Sequence, residues 1–77
     1  MLTENDVKIY KIIRDYPSTK KDFTGRTKFP SSLIDKITNE LSKYNLIKKI
    51  RRPENKNLNV WVVYDYQEEE EGQVDRG

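Results

Sequence analysis

The 77-residue chain has no cysteine and no histidine. The first absence excludes disulfides and thiolate metal sites, and fits a reducing compartment. The second removes the commonest general base and the usual nitrogen ligand of zinc. Only three glycines are present, and none forms a phosphate-cradling loop. The carboxylates are scattered or gathered near the C-terminus, so no acid/base pair is implied. Ser31-Ser32 has no identifiable base to activate it, and helix capping is the better use of the pair. The expectation is a non-enzymatic chain with no catalytic residues, no metal and no cofactor. No apolar run approaches the roughly 20 residues that span a bilayer, and Met1 leads into a polar stretch rather than a signal segment. An intracellular soluble module without a membrane partner is therefore expected, in the cytoplasm if the source is prokaryotic, archaeal or viral and in the nucleus if it is eukaryotic.

What is present is charge, unevenly placed. Residues 1–66 hold fourteen Lys and Arg against eight Asp and Glu, a net of +6. Residues 67–77 hold Arg76 against Glu68, Glu69, Glu70, Glu71 and Asp75, a net of −4. The division predicts a folded basic domain over 1–66. An acidic tail over 67–77 holds one aliphatic residue, Val74, too little apolar surface to offset its ordering entropy. A basic body points to nucleic acid, although lysine-rich surfaces also serve solubility alone.

Three helical segments precede a β-rich region. Thr3 caps the first, with Asp6 at the reciprocal capping-box position, and Ile9, Ile12, Ile13 and Tyr16 recur on one face. Pro17 ends it. Thr19 and Asp22 repeat the box for a short second helix that carries Phe23 inward. The third helix, Ser32 to Tyr44 with Ser31 or Ser32 as cap, gathers Leu33, Ile34, Ile37, Leu41 and Tyr44 within an arc of about 100°. Its other face, Ser32, Asp35, Lys36, Asn39, Glu40 and Lys43, is polar throughout. Asn45 is the expected left-handed stop. A short strand around Thr27 to Phe29 is a further expectation.

Leu46 to Arg52 then alternates apolar and basic residues, Pro53 to Asn57 is a polar turn, and Val60 to Tyr64 is a second strand run. Helix followed by basic ribbon predicts a mainly α member of the α+β class: a winged helix-turn-helix, three helices followed by a two-stranded β wing. In that fold helix and ribbon commonly face one nucleic-acid backbone. Ser32, Lys36, Asn39 and Lys43 are the candidates for facing a DNA groove, where Asn reads adenine and Lys reaches guanine or phosphate. The same residues also fit a plain solvated face, and Asp35 and Glu40 oppose tight insertion. On the ribbon, Lys48, Lys49, Arg51, Arg52 and Lys56 lie within nine positions, opposed there only by Glu54. If Ile50 faces the core, Lys49 and Arg51 lie on the other side. Phosphate contact is one use of this charge, and protection of a strand edge is another. Trp61 alternates with Val60 and Val62; it either covers the edge of the core or stands partly exposed at a protein interface.

Ile9-Tyr10-Lys11-Ile12-Ile13, Thr19-Lys20-Lys21-Asp22-Phe23 with Arg26-Thr27, Leu33 through Leu41, Leu46 through Ile50, and Val62 through Glu68 together resemble one winged-helix family. That family comprises the winged-helix subunit of the RNA polymerase III initiation subcomplex, the β subunit of TFIIE and archaeal transcription factor E beta. The resemblance implies a non-catalytic module on the polymerase clamp near promoter DNA, with Lys48, Lys49, Arg51 and Arg52 proximal to DNA or clamp. The chain departs from the family in its short Pro17-Ser18 loop, in its tail, and in lacking cysteines for an iron–sulfur cluster. Leu46 to Tyr64 also looks like small MarR-type repressors. That resemblance implies a sequence-specific homodimer, here through the first helix or Trp61. A winged helix serving purely as a protein-binding scaffold is the third alternative.

Overall fold

A computed structural model describes residues 2–52 and 58–67. The wing turn and the acidic segment at 68–77 lie outside the described residues, as does Lys56. The elements run α1 (Glu4–Asp15), α2 (Lys20–Thr27), α3 (Ser31–Lys43), β1 (Ile47–Arg52) and β2 (Leu58–Val63). Three helices followed by a two-stranded antiparallel sheet make a winged helix.

Local chemistry sets most of the boundaries. Asp6 donates its amide to Thr3 Oγ1 at 3.2 Å, and the Thr3 amide donates to Asp6 Oδ2 at 3.1 Å. Thr19 and Asp22 repeat this reciprocal pair at 3.2 and 2.9 Å. Each box satisfies two amides that the helix start would otherwise orphan. Tyr16, ahead of Pro17, is extended at φ −169° and ends α1. Lys28 ends α2 in the left-handed region at φ 63°.

The end of α3 is more elaborate. Asn45 takes φ 62°, its amide donates to the Ser42 carbonyl at 2.9 Å, and the Leu46 amide donates to the Leu41 carbonyl at 3.0 Å. These paired bonds form a Schellman motif, with Leu41 and Leu46 as the apolar pair beside it. The Leu46 carbonyl then accepts the Tyr64 amide at 3.0 Å, so the helix stop also registers the ribbon.

Ile9, Ile13, Phe23, Ile34, Ile37, Leu41 and Ile47 form the buried cluster, with Tyr10, Ile12, Phe29, Leu33, Leu46, Trp61 and Val63 packed against it. All three helices and β1 contribute to it. Each such side chain contributes about 1.5–3 kcal/mol on leaving water. The antiparallel register pairs Ile47 with Val63, Lys49 with Trp61 and Ile50 with Val60. Directly opposed residues share a face, so Ile47, Lys49, Arg51, Asn59, Trp61 and Val63 lie on one side of the ribbon. Lys48, Ile50, Val60 and Val62 lie on the other, where Val60 and Val62 are also buried. Both faces of the wing thus carry apolar weight, although Ile47 and Ile50 point opposite ways.

Four expectations need correction. Neither Ser31 nor Ser32 caps α3: the helix begins at Ser31, and Pro30 is its N-cap, with no side-chain cap bond. The fixed φ of Pro30, −67°, suits that position, and its carbonyl accepts the Leu33 and Ile34 amides at 3.0 and 3.1 Å. Second, no strand occupies Thr27 to Phe29, because Thr27 closes α2 and Lys28 turns left-handed. The additional bridge instead joins Ser18 to Trp61. Third, Tyr16 and Tyr44 are 44% and 53% exposed rather than core. Both sit at C-caps, where the helical phase that placed them inward has ended. Fourth, β2 begins at Leu58 rather than Val60.

Candidate nucleic-acid interface

Helix α3 presents Ser32, Lys36, Asn39 and Lys43 to solvent, and all four are exposed. Their 4-3-4 spacing aligns them in one stripe along the helix. The burial of Ile34, Ile37, Thr38 and Leu41 fixes the phase of that stripe. Thr38 is the polar exception, and its hydroxyl is satisfied by donation to the Ile34 carbonyl at 2.9 Å. Lys36, Asn39 and Lys43 line a shallow depression with Glu40 and Tyr44.

A second groove lies between α3 and the wing. Lys20, Asp35, Thr38 and Asn39 form its helical wall, Lys49, Asn59 and Trp61 its ribbon wall, and Ile34 also lines it. This groove is lined by one candidate from the helix, Asn39, and one from the ribbon, Lys49. Arg51 is exposed and shares the Lys49 face of the ribbon by alternation. Lys48 is half-buried on the other face, beside Ile50 and opposite Val62. Arg52 is placed only by its backbone pairing with Leu58. Ser32 lines neither depression.

Asp35 is one of the two acids, with Glu40, that oppose a DNA-facing α3. In the structure Lys20 Nζ lies 3.0 Å from Asp35 Oδ1 and 3.1 Å from Oδ2. A cation from α2 therefore offsets this carboxylate at the edge of the groove. With side chains 47% and 55% exposed, the pair contributes little to folding.

Trp61 is half-buried and packs against the core cluster. Its backbone is held from both directions: the Ser18 amide donates to the Trp61 carbonyl at 3.1 Å, and the Trp61 amide donates to the Ser18 carbonyl at 2.7 Å. Lys49 Nζ lies 5.0 Å from the Trp61 ring centroid, within cation–π range.

Lys20 and Asn59 are groove residues that the sequence pattern did not single out. The signal for Asn59 was present, because it stands two positions from Trp61 and so shares its face. Lys20 had only its place as the first residue after a capping box. Among the described residues, no three His, Cys, Asp or Glu side chains gather as a metal site requires. Among the same residues, no helix is long and apolar enough to cross a membrane.

The helix-turn-helix of α2 and α3, with the ribbon beside it, defines the class as winged helix. A variant of ZitR from Lactococcus lactis has a similar structure, with a TM-score of 0.78 at 20% identity. The match covers 84% of this chain and 44% of the ZitR chain, so this chain spans less than half of that protein's length. At such identity the likeness shows the fold. No protein-family model and no curated protein matches the sequence.

Proposed function

We propose that this chain is a winged-helix DNA-binding module acting in transcription. Helix α3 presents Lys36, Asn39 and Lys43 to a groove of the duplex, and the wing contacts phosphates through Lys49 and Arg51. Lys48 and Arg52 add positive charge along the ribbon, and Lys56 adds one more in the sequence between the two strands. The observation that carries this reading is the groove that Asn39 of α3 and Lys49 of the wing both line. A phosphodiester strand running between helix and ribbon meets amides and an ammonium there, while Lys20 offsets Asp35. Phosphate contacts of this kind supply affinity with little sequence preference, whereas the Asn39 amide has the donor and acceptor that reading an adenine edge requires.

Within that class, two finer roles divide by what else is bound. An initiation module pairs weak, sequence-tolerant DNA contact with an RNA polymerase surface. A dimeric repressor pairs two copies on a palindrome. Fluorescence anisotropy on random and AT-rich duplexes, from about 20 to 200 mM salt, tests the DNA reading and separates these roles. A steep salt slope with little probe preference supports DNA contact of the initiation type. Strong preference for one probe with cooperative binding supports the repressor. No binding at the lowest salt refutes DNA contact and leaves the protein-binding scaffold.

A further inference from the structure

We propose that Trp61 is the positioning residue for DNA contact by the wing: its ring holds the Lys49 ammonium in the groove opposite α3. This inference rests on the DNA-binding reading above. A lysine on a ribbon has a long flexible stem, and fixing it against a phosphate costs rotamer entropy at the moment of binding. Lys49 is spared part of that cost. It is the cross-strand partner of Trp61, and its Nζ already lies 5.0 Å from the ring centroid. The ring is itself anchored, by two backbone bonds to Ser18 and by packing on the core. Lys49 and Trp61 line the groove whose other wall includes Asn39, so the cation stands where the DNA-binding reading puts a backbone.

Packing alone does not require an indole at this position. Leucine or phenylalanine also covers the edge of a core, and an exposed cation–π contact adds little to folding. What tryptophan adds is the most electron-rich ring face among the side chains, directed at a cation. The ring therefore acts through Lys49, and its effect on binding vanishes when Lys49 is gone.

Trp61 is the sole tryptophan, so fluorinated tryptophans replace it site-specifically in the full chain. Fluorine drains the ring face of electron density while nearly preserving its shape. Duplex affinity is measured by anisotropy at about 50 mM salt, for the mono-, di- and trifluoro chains, with Lys49 present and as Lys49→Ala. The expected result is a stepwise loss totalling about two- to fivefold with Lys49, and a flat series in Lys49→Ala. A flat series with Lys49, or an equal trend without it, overturns the proposal. Trp61→Leu is a second reading: its loss should not exceed that of Lys49→Ala, and the double variant should be no worse than Lys49→Ala alone. Full additivity overturns the proposal as well. Should Trp61→Leu fail to fold by circular dichroism, the fluorinated series still decides. If the unsubstituted chain binds no duplex, this inference falls together with the DNA reading. Firm binding that ignores fluorination removes the positioning role alone.

Discussion

Replacing Asp35 by Asn changes one charge at the groove while leaving the side-chain shape almost intact. The carboxylate sits on α3, 3.0 Å from Lys20 Nζ, and both side chains are about half exposed. Exposed pairs of this kind contribute about 0–1 kcal/mol to folding, so the melting temperature of Asp35→Asn should move by no more than about 8 °C. Binding should respond more. A unit charge about 10 Å from a phosphate interacts by about 0.4 kcal/mol at the dielectric of water, and by about 1.7 kcal/mol at an effective value of 20. Removing the repulsion should therefore tighten duplex binding by about two- to eighteenfold at 20 mM salt. The freed Lys20 adds to the gain. Near 200 mM salt the screening length is below about 10 Å, and most of the difference should disappear. Anisotropy at both salts, with a thermal melt of each variant, supplies the comparison. Unchanged affinity at 20 mM salt in a folded Asp35→Asn chain would place the groove off the path of the DNA.

Three further outcomes probe the scaffold. Phe23→Ala, which empties a fully buried position at the centre of the core, should cost about 3–5 kcal/mol and lower the melting temperature by more than 10 °C in a circular-dichroism melt. Thr19→Ala removes half of the α2 capping box and should cost about 0.5–2 kcal/mol, read from the urea midpoint at an unchanged m-value. Lys28→Gly should stabilise by about 0.5–1 kcal/mol in the same titration, because glycine takes the left-handed cap without a Cβ clash; a loss of stability would mean that the Lys28 side chain contributes something the backbone geometry does not reveal.

The elements were legible where the chemistry is local. Thr3 with Asp6, Thr19 with Asp22, Pro17 and Asn45 each act within four residues, and each set its boundary as the sequence implied. The phase of α3 was legible too, because Ile34, Ile37 and Leu41 repeat at helical spacing and all became core. Where two local signals competed, the pattern misled: the serines at 31 and 32 are good caps, but Pro30 ahead of them is preset for the position. Long-range features left no trace in periodicity. The Ser18–Trp61 bridge joins single residues far apart in sequence, and the Lys20–Asp35 pair joins two helices through side chains that look merely solvated. The candidate interface follows the same division. The α3 stripe could be drawn from spacing alone, but the groove that joins Asn39 to Lys49 depends on how the wing docks. Alternation could separate Lys48 from Lys49 and Arg51, yet it could not say that both ribbon faces would carry buried valine or isoleucine.

The most direct test of the central claim is the salt dependence of duplex binding by the unsubstituted chain and by the double variant Lys49→Ala, Arg51→Ala. Both residues are exposed on one face of the ribbon, so the double change should leave the fold intact. Each of the two side chains neutralises one phosphate in this account. The slope of log affinity against log salt should therefore flatten by about two units in the double variant, with weaker binding on every probe. An unchanged slope in a folded double variant would contradict the account, because the wing would then not be touching DNA.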